Sequence, residues 1–144
     1  MTVDLAKTQP GSYRALVALT EQAEQSLEQA GLDAKLRELI AVRTSQINGC
    51  AFCLRVHTRA AIEAGETADR LAVLPGWWES QYFDAREQAA LALTEKTATP
   101  SLPARHTVED GALDEAQTAA VLWYATVMNA WNRMVLSSGY PVAP

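Results

Sequence analysis

The sequence is poor in cysteine and histidine, with two of each in 144 residues. Two cysteines are too few for the disulfide framework of a small secreted protein. Basic residues are also in the minority, since 12 Lys and Arg against 17 Asp and Glu give a formal charge of −5. No Lys/Arg run is dense enough to form an electrostatic footprint for nucleic acid. We therefore expect no metal site, no cofactor and no nucleic-acid partner.

Long apolar runs are missing as well. The first ten residues, MTVDLAKTQP, hold no apolar core of signal-peptide length. The longest apolar stretch, Ala119 to Met128, is interrupted by Thr126 and is far too short to span a bilayer. These absences predict a cytoplasmic protein that does not enter a membrane. Cysteines in the cytosol are expected to be reduced at rest, so the pair needs an explanation other than a structural staple.

Helical periodicity is present almost throughout the chain. Capping residues and helix-compatible proline predict where the helices start, and these positions are Pro10, Asp33, Cys50, Thr67, Asp84 and Asp114. Glycine or proline is predicted to follow the ends of the first four, at Gly31, Gly49, Gly65 and Pro75. The fifth helix is predicted to end near Lys96, before a loop at residues 97–103. Strand-period alternation of useful length is absent, which predicts an all-α bundle of about six to seven helices in one domain.

The last helix is predicted to bury a single stripe, consisting of Ala116, Ala120, Trp123, Val127, Ala130 and Met134. Tryptophan is prominent in this region and in the Trp77-Trp78 pair. These side chains, with Trp131, are more apolar bulk than a monomer's surface usually shows. They belong either to the core or to an oligomer interface.

Cys50, Cys53 and His57 stand at helical positions i, i+3 and i+7. At about 100° per residue they fall within an arc of roughly 60° on one helix face. The first turn of a helix favours a thiolate, and a histidine four residues after Cys53 is close enough to exchange a proton with it. A zinc site would need two more ligands, and a haem attachment site would need histidine where Leu54 stands. Both thiols could also simply line the core, as free cysteines often do.

A wider pattern contains these residues: Glu38, eleven intervening residues, Cys50-Ala51-Phe52-Cys53, three residues and His57. It resembles the signature of the AhpD alkylhydroperoxidases, which belong to the carboxymuconolactone decarboxylase superfamily. The resemblance extends over residues 32–64 and returns at residues 129–133, which are similar to the family's last helix. It implies a single AhpD-like domain over residues 1–144, thiol-dependent peroxidase activity and a homo-oligomer, with a hexamer favoured over a trimer.

The resemblance also implies a role for each site residue. Cys53 matches the cysteine that attacks the peroxide, and Cys50 matches the cysteine that resolves the product. His57 and Glu38 match the proton-handling pair. The expected partners are a peroxide substrate and an external dithiol that restores the reduced enzyme. Phe52 is a departure, because the larger enzymes have a histidine directly before the second cysteine.

Other interpretations remain open for the same residues. A superfamily member that does not use its cysteines could decarboxylate or isomerise small lactones through His57 or Glu38, and a redox sensor could oxidise without turning over. Glu38 could be a solvated helix carboxylate. The three arginines Arg43, Arg55 and Arg59 are predicted on solvated faces, with one of them a candidate ion-pair partner of Glu38. We assign no role to His106, which is predicted to lie in a loop.

Overall fold

The computed structural model describes residues 2–144, and in that range the protein contains helices and no strands. The elements are α1 (Leu5–Thr8), α2 (Pro10–Gln29), α3 (Ala34–Asn48), α4 (Ala51–Glu63), α5 (Ala68–Val73), a 3-10 helix (Leu74–Glu79), α6 (Ala85–Ala98) and α7 (Glu115–Ser138). The predicted all-α bundle is confirmed. Within the same residues, no helix has the length and hydropathy needed to cross a membrane.

The predicted capping residues lie at the helix starts. Asp33, Thr67, Asp84 and Asp114 each accept a hydrogen bond from a backbone N–H of the first turn, and the last two complete capping boxes. Three boundaries differ from the sequence prediction. Asp4 caps the short helix α1, the chain continues through residues 75–76 as a 3-10 helix, and α6 extends two residues into the predicted loop.

Helix α3 lies at the centre of the bundle and packs against α4, α6 and α7. Its residues from Glu38 to Ser45 are all buried, as is Leu36. A helix surrounded in this way must also bury its polar residues, and each of these then needs a partner. This central position explains why a glutamate and an arginine of α3 lie inside the protein.

Arg43 is one of those buried residues, so its predicted position on a solvated face is wrong. Its Nε and Nη2 atoms donate hydrogen bonds to Oε1 of Glu95 on α6, at 3.0 and 2.9 Å. The indole N–H of Trp77 donates to the same oxygen at 2.9 Å. Arg59 is exposed as predicted, whereas Arg55 is half-buried and donates to the carbonyl of Ala143.

The stripe predicted for α7 is also wrong in part, because three of its six residues, Ala116, Trp123 and Ala130, are exposed. The buried face consists of Ala120, Val121, Tyr124, Ala125, Val127, Met128, Asn129, Asn132, Val135 and Ser138. Helix α7 is apolar around much of its circumference, so periodicity alone did not identify its inward face. The tryptophans divide between core and surface: Trp77 is buried and Trp131 half-buried, while Trp78 and Trp123 are 42% and 57% exposed.

Candidate active site

The two cysteines lie where α3 turns into α4. Gly49 adopts φ +69°, a left-handed conformation that glycine accepts without strain, and it ends α3. Cys50 is the N-cap of α4, and its Sγ accepts a hydrogen bond from the backbone N–H of Cys53 at 3.3 Å. The structure has the oxidised form, in which Cys50 and Cys53 are joined by a disulfide with Cα atoms 5.3 Å apart. In the reduced form, the N–H groups at this helix start would favour a thiolate.

The two cysteines differ in solvent exposure. Cys50 is fully buried, whereas Cys53 is 5% exposed and lines a surface pocket. A molecule that enters the pocket therefore meets Cys53 before Cys50. Cys50, Cys53 and Val135 form a small buried cluster, against which Tyr140 packs.

His57 and Glu38 form a direct pair between α4 and α3. Nδ1 of His57 is 2.8 Å from Oε2 of Glu38, which leaves Nε2 as the ring nitrogen available for other chemistry. Glu38 is 4% exposed, so the interpretation as a solvated carboxylate is wrong. Its other oxygen, Oε1, accepts a hydrogen bond from Nε of Arg37 at 3.2 Å. The cation paired with Glu38 is thus Arg37 and none of the three arginines considered from the sequence.

The pKa of Arg37 is shifted by the charges around it. Partial burial alone would lower the pKa of Arg37, but the nearby carboxylates, Glu38 first and then Glu24, raise it. Arg37 is therefore a permanent cation, and it keeps the buried Glu38 carboxylate compensated. The Glu38 carboxylate can orient the imidazole through Nδ1, which determines which ring nitrogen remains for other contacts.

Cys53 and His57 share a pocket of about 220 Å³. Its apolar walls are Phe52 and Val56 from α4 and Met128, Trp131 and Val135 from α7. Helix α2 supplies two polar residues, Thr20 and Glu24. Thr20 accepts a hydrogen bond from the indole N–H of Trp131 at 2.7 Å, which fixes that wall. The pocket can hold a small apolar group beside the accessible sulfur.

An amide network connects α7 to the end of α3, next to the cysteine turn. The amide nitrogen of Asn48 donates to the side-chain oxygens of Asn129 and Asn132 at 2.8 and 3.0 Å. Asn132 in turn donates to the hydroxyl of Ser45 at 3.1 Å. Hydrogen-bonded amides of this kind, two of which are buried here, fix one relative position of two helices. The network therefore positions the cysteine turn against α7.

Tyr124 is a buried residue near the site that sequence reasoning missed. It is fully buried, and among the described residues its hydroxyl has no hydrogen-bond partner. Burial, and then the charges of Glu38 and Glu24, raise the pKa of Tyr124 well above its usual value near 10. Tyr124 thus stays neutral in the electrostatic neighbourhood of Glu38. Its proximity to the charge of Glu38 could not be inferred from the sequence, where Tyr124 is one of many residues that follow the apolar periodicity of α7.

His106 lies in a loop, as predicted, and does not line the pocket. Its ring stacks on Trp78 with centroids 3.9 Å apart, and its Nε2 is 3.8 Å from Oε2 of Glu95. It therefore belongs to the cluster around Arg43 and Glu95. Across residues 2–144 no group of three or more histidine, cysteine or acidic side chains is placed to hold a metal ion.

Comparison with known families adds to this geometry. The family model for the carboxymuconolactone decarboxylase family matches residues 10–96, which include Glu38, Cys50, Cys53 and His57. The chain belongs to the carboxymuconolactone decarboxylase family. The pocket wall contributed by α7 lies beyond the segment that defines this family match. The family segment therefore carries the polar site residues, and the C-terminal helix completes the pocket.

Two individual proteins are similar to this family member over most of their length. The uncharacterised protein YdfG of Bacillus subtilis (strain 168) is 37% identical over 121 residues, which cover 81% of this chain and 82% of YdfG. A crystal structure of ATU0492 from Agrobacterium tumefaciens superposes with a TM-score of 0.79 at 24% identity, covering 99% and 100% of the two chains. ATU0492 is described as a protein of unknown function and a candidate antioxidant defence protein AhpD. This likeness shows that the two proteins share a fold.

Proposed function

We propose that this protein is a thiol-dependent peroxidase and disulfide reductase of antioxidant defence, which reduces organic hydroperoxides with Cys53 and Cys50. The observation that carries the proposal is the 2.8 Å contact between His57 and Glu38 beside a pocket that also exposes Cys53. A nucleophile, a proton-transfer group and a carboxylate that orients it are the components of an activated-nucleophile site.

The proposed cycle begins with the reduced dithiol. His57 first takes the proton of the Cys53 thiol. The Cys53 thiolate then attacks the terminal oxygen of the hydroperoxide, the O–O bond breaks, and the leaving alkoxide takes that proton from His57 to become an alcohol. Cys53 is then a sulfenic acid. The Cys50 thiol attacks its sulfur, so that the disulfide forms and water leaves. An external dithiol reduces the disulfide and is itself oxidised.

Protonation of the leaving group is the step in which His57 contributes most. Lowering a thiol pKa from about 8.5 to about 6.5 raises the thiolate fraction at pH 7 roughly 25-fold. Intrinsic nucleophilicity falls roughly eightfold over the same change, so the net gain is only about threefold. Positioned general acid catalysis is typically worth about 10²- to 10⁴-fold. We therefore assign His57 chiefly to proton delivery, with Glu38 as its positioning residue.

Phe52 bears on the rate expected from this site. It occupies the position of the relay histidine in the larger enzymes and serves here as an apolar pocket wall, packed edge-on against Tyr140 with ring centroids 5.4 Å apart. A phenyl ring cannot transfer protons, so His57 must act without that second relay. We expect slower peroxide turnover than an enzyme with both histidines would have.

The proposal is tested by peroxide consumption with dihydrolipoamide and with thioredoxin as alternative reductants. Wild-type protein should turn over with at least one of them, and Cys53→Ser should fall to the rate of the uncatalysed mixture. In the absence of a reductant, Cys50→Ser should react with about one equivalent of peroxide and then stop, because it cannot form the intramolecular disulfide. Full turnover by Cys53→Ser would refute the assignment. A disulfide that forms without turnover by any donor would instead favour a redox sensor.

A second candidate is a lactone decarboxylase or isomerase that does not use the cysteines. The family match and the His57–Glu38 pair favour it, because that pair could transfer protons without any thiol. The adjacent disulfide argues against it, since such chemistry has no use for a dithiol. Conversion of a small lactone that survives complete alkylation of the reduced cysteines would favour this candidate over the peroxidase.

We also propose that the protein is a cytoplasmic homo-oligomer, a hexamer rather than a trimer, and that the exposed face of α7 contacts a second copy. Trp123 is 57% exposed there, and the exposed Ala116 and Ala130 would allow a second helix to approach closely. The cytoplasm suits a dithiol that must be reduced in each cycle.

The oligomer is tested by light scattering, which should give a multiple of the chain mass of 15.6 kDa. Trp123→Glu should reduce that mass while Leu102→Glu, on an exposed loop, should not, and a monomeric wild type would contradict the proposal.

A further inference from the structure

The pocket beside Cys53 is apolar on most sides and carries one carboxylate. Apart from the reacting Cys53 and His57, the ionisable side chain that lines it is Glu24, which is half-buried on α2. A solvent-accessible carboxylate carries a negative charge at neutral pH. The pocket thus combines apolar walls, which attract apolar groups, with the negative charge of Glu24.

The surroundings of Glu24 do not cancel this charge at the pocket. Arg37 lies with Glu24 along the neighbouring groove, together with Glu21 and Glu28, but it does not line the pocket itself. Its guanidinium interacts electrostatically with both carboxylates but donates its hydrogen bond to Glu38, so one cation serves two carboxylates. Of the glutamates along this groove, Glu24 also lines the pocket, whereas Glu21 and Glu28 do not.

A bound hydroperoxide would therefore be selected by its charge. An uncharged alkyl or aryl group gains by leaving water for the apolar walls. A carboxylate on the same group would lose its hydration and would also meet the like charge of Glu24. Hydrogen peroxide has no apolar group and gains nothing from the walls.

We propose that Glu24 is a specificity-determining residue that makes the site selective for uncharged organic hydroperoxides and excludes those whose organic group carries a carboxylate. This inference rests on the proposed peroxidase function. The reaction is the one written above: the O–O bond is cleaved, the alcohol leaves, and the dithiol is oxidised to the disulfide. Glu24 takes no part in the transfer of electrons or protons.

The test compares cumene hydroperoxide with its para-carboxylate, a rigid pair that differs in one charge. Wild-type kcat/KM should favour the uncharged substrate, and Glu24→Gln should reduce that preference by about 3- to 10-fold, mainly by accelerating the anionic substrate. High salt should weaken the preference of wild type more than that of the variant. Glu21→Gln is the matched control, since Glu21 lies on the same helix outside the pocket and its replacement should leave the preference unchanged.

The outcomes separate this inference from the proposed function. Equal preference in wild type and Glu24→Gln, or an equal effect of Glu21→Gln, would overturn the role of Glu24 and leave the peroxidase proposal standing. If wild type turns over neither substrate, the proposed peroxidase function is refuted. In that case NMR titration with the two product alcohols still tests the charge selection, because wild type should bind the uncharged alcohol more tightly and Glu24→Gln should narrow the difference.

Discussion

Replacing His57 by alanine is expected to lower kcat/KM for an organic hydroperoxide by about 10²- to 10⁴-fold, because the alkoxide would then leave without a positioned proton donor. Glu38→Gln should lower it in the same direction by a smaller factor. Glutamine keeps the shape of the side chain but no longer compensates an imidazolium, and it can present the wrong hydrogen-bonding group to Nδ1. Stopped-flow measurement of peroxide consumption by the reduced variants determines both values.

The pH profile distinguishes this role from a structural one. The part of the wild-type kcat/KM profile that comes from imidazole ionisation should be missing in His57→Ala. Arg59→Ala is the control, since Arg59 is exposed on the same helix and should remain within about twofold of wild type. If His57→Ala has the wild-type rate or the wild-type pH profile, His57 does not deliver the proton.

The largest effect on stability is expected from Glu95→Ala. This change leaves the buried guanidinium of Arg43 without its counter-ion and the buried indole N–H of Trp77 without an acceptor. Breaking a buried ion pair on one side typically costs about 3–5 kcal/mol of unfolding free energy. In a chain of this length that corresponds to a fall in Tm of roughly 10–20 °C. Denaturant unfolding and calorimetry measure the two quantities.

A double-mutant cycle determines whether the cost comes from the unpaired charge. Arg43→Met together with Glu95→Ala should be less destabilising than the sum of the single changes, because the double variant buries no uncompensated cation. Glu63→Ala, at an exposed position on α4, should shift the unfolding free energy by no more than about 0.5 kcal/mol. Strict additivity of the two core substitutions would contradict a coupled buried pair.

The features that sequence reasoning predicted well are set by local interactions. Asp33, Asp84 and Asp114 cap helices through backbone groups three residues away, so a short window contains the whole cause. The same holds for the start of α4, where Gly49 and Cys50 define the turn. The contact of Glu38 with His57 was expected only through the family resemblance, because 19 residues separate them.

The features that were missed depend on contacts distant in sequence. The burial of Arg43 is determined by Glu95, which is 52 residues away, and no local pattern indicates that pairing. The inward face of α7 is chosen by the helices around it, since both of its faces offer apolar residues. Glu24 is one of several acidic residues on α2, and its place in the pocket follows from how α2 packs against α7.

The most direct test of the central claim is the identity of the cysteine that meets the peroxide. Reduced protein is treated with one equivalent of cumene hydroperoxide, and its peptides are analysed by mass spectrometry. Wild type should contain a Cys50–Cys53 disulfide and release one equivalent of alcohol, and Cys50→Ser should hold a sulfenic acid on Cys53 that a dione reagent traps. A sulfenic acid on Cys50 in the Cys53→Ser variant at the wild-type rate, or unconsumed peroxide beside two free thiols, would contradict the account.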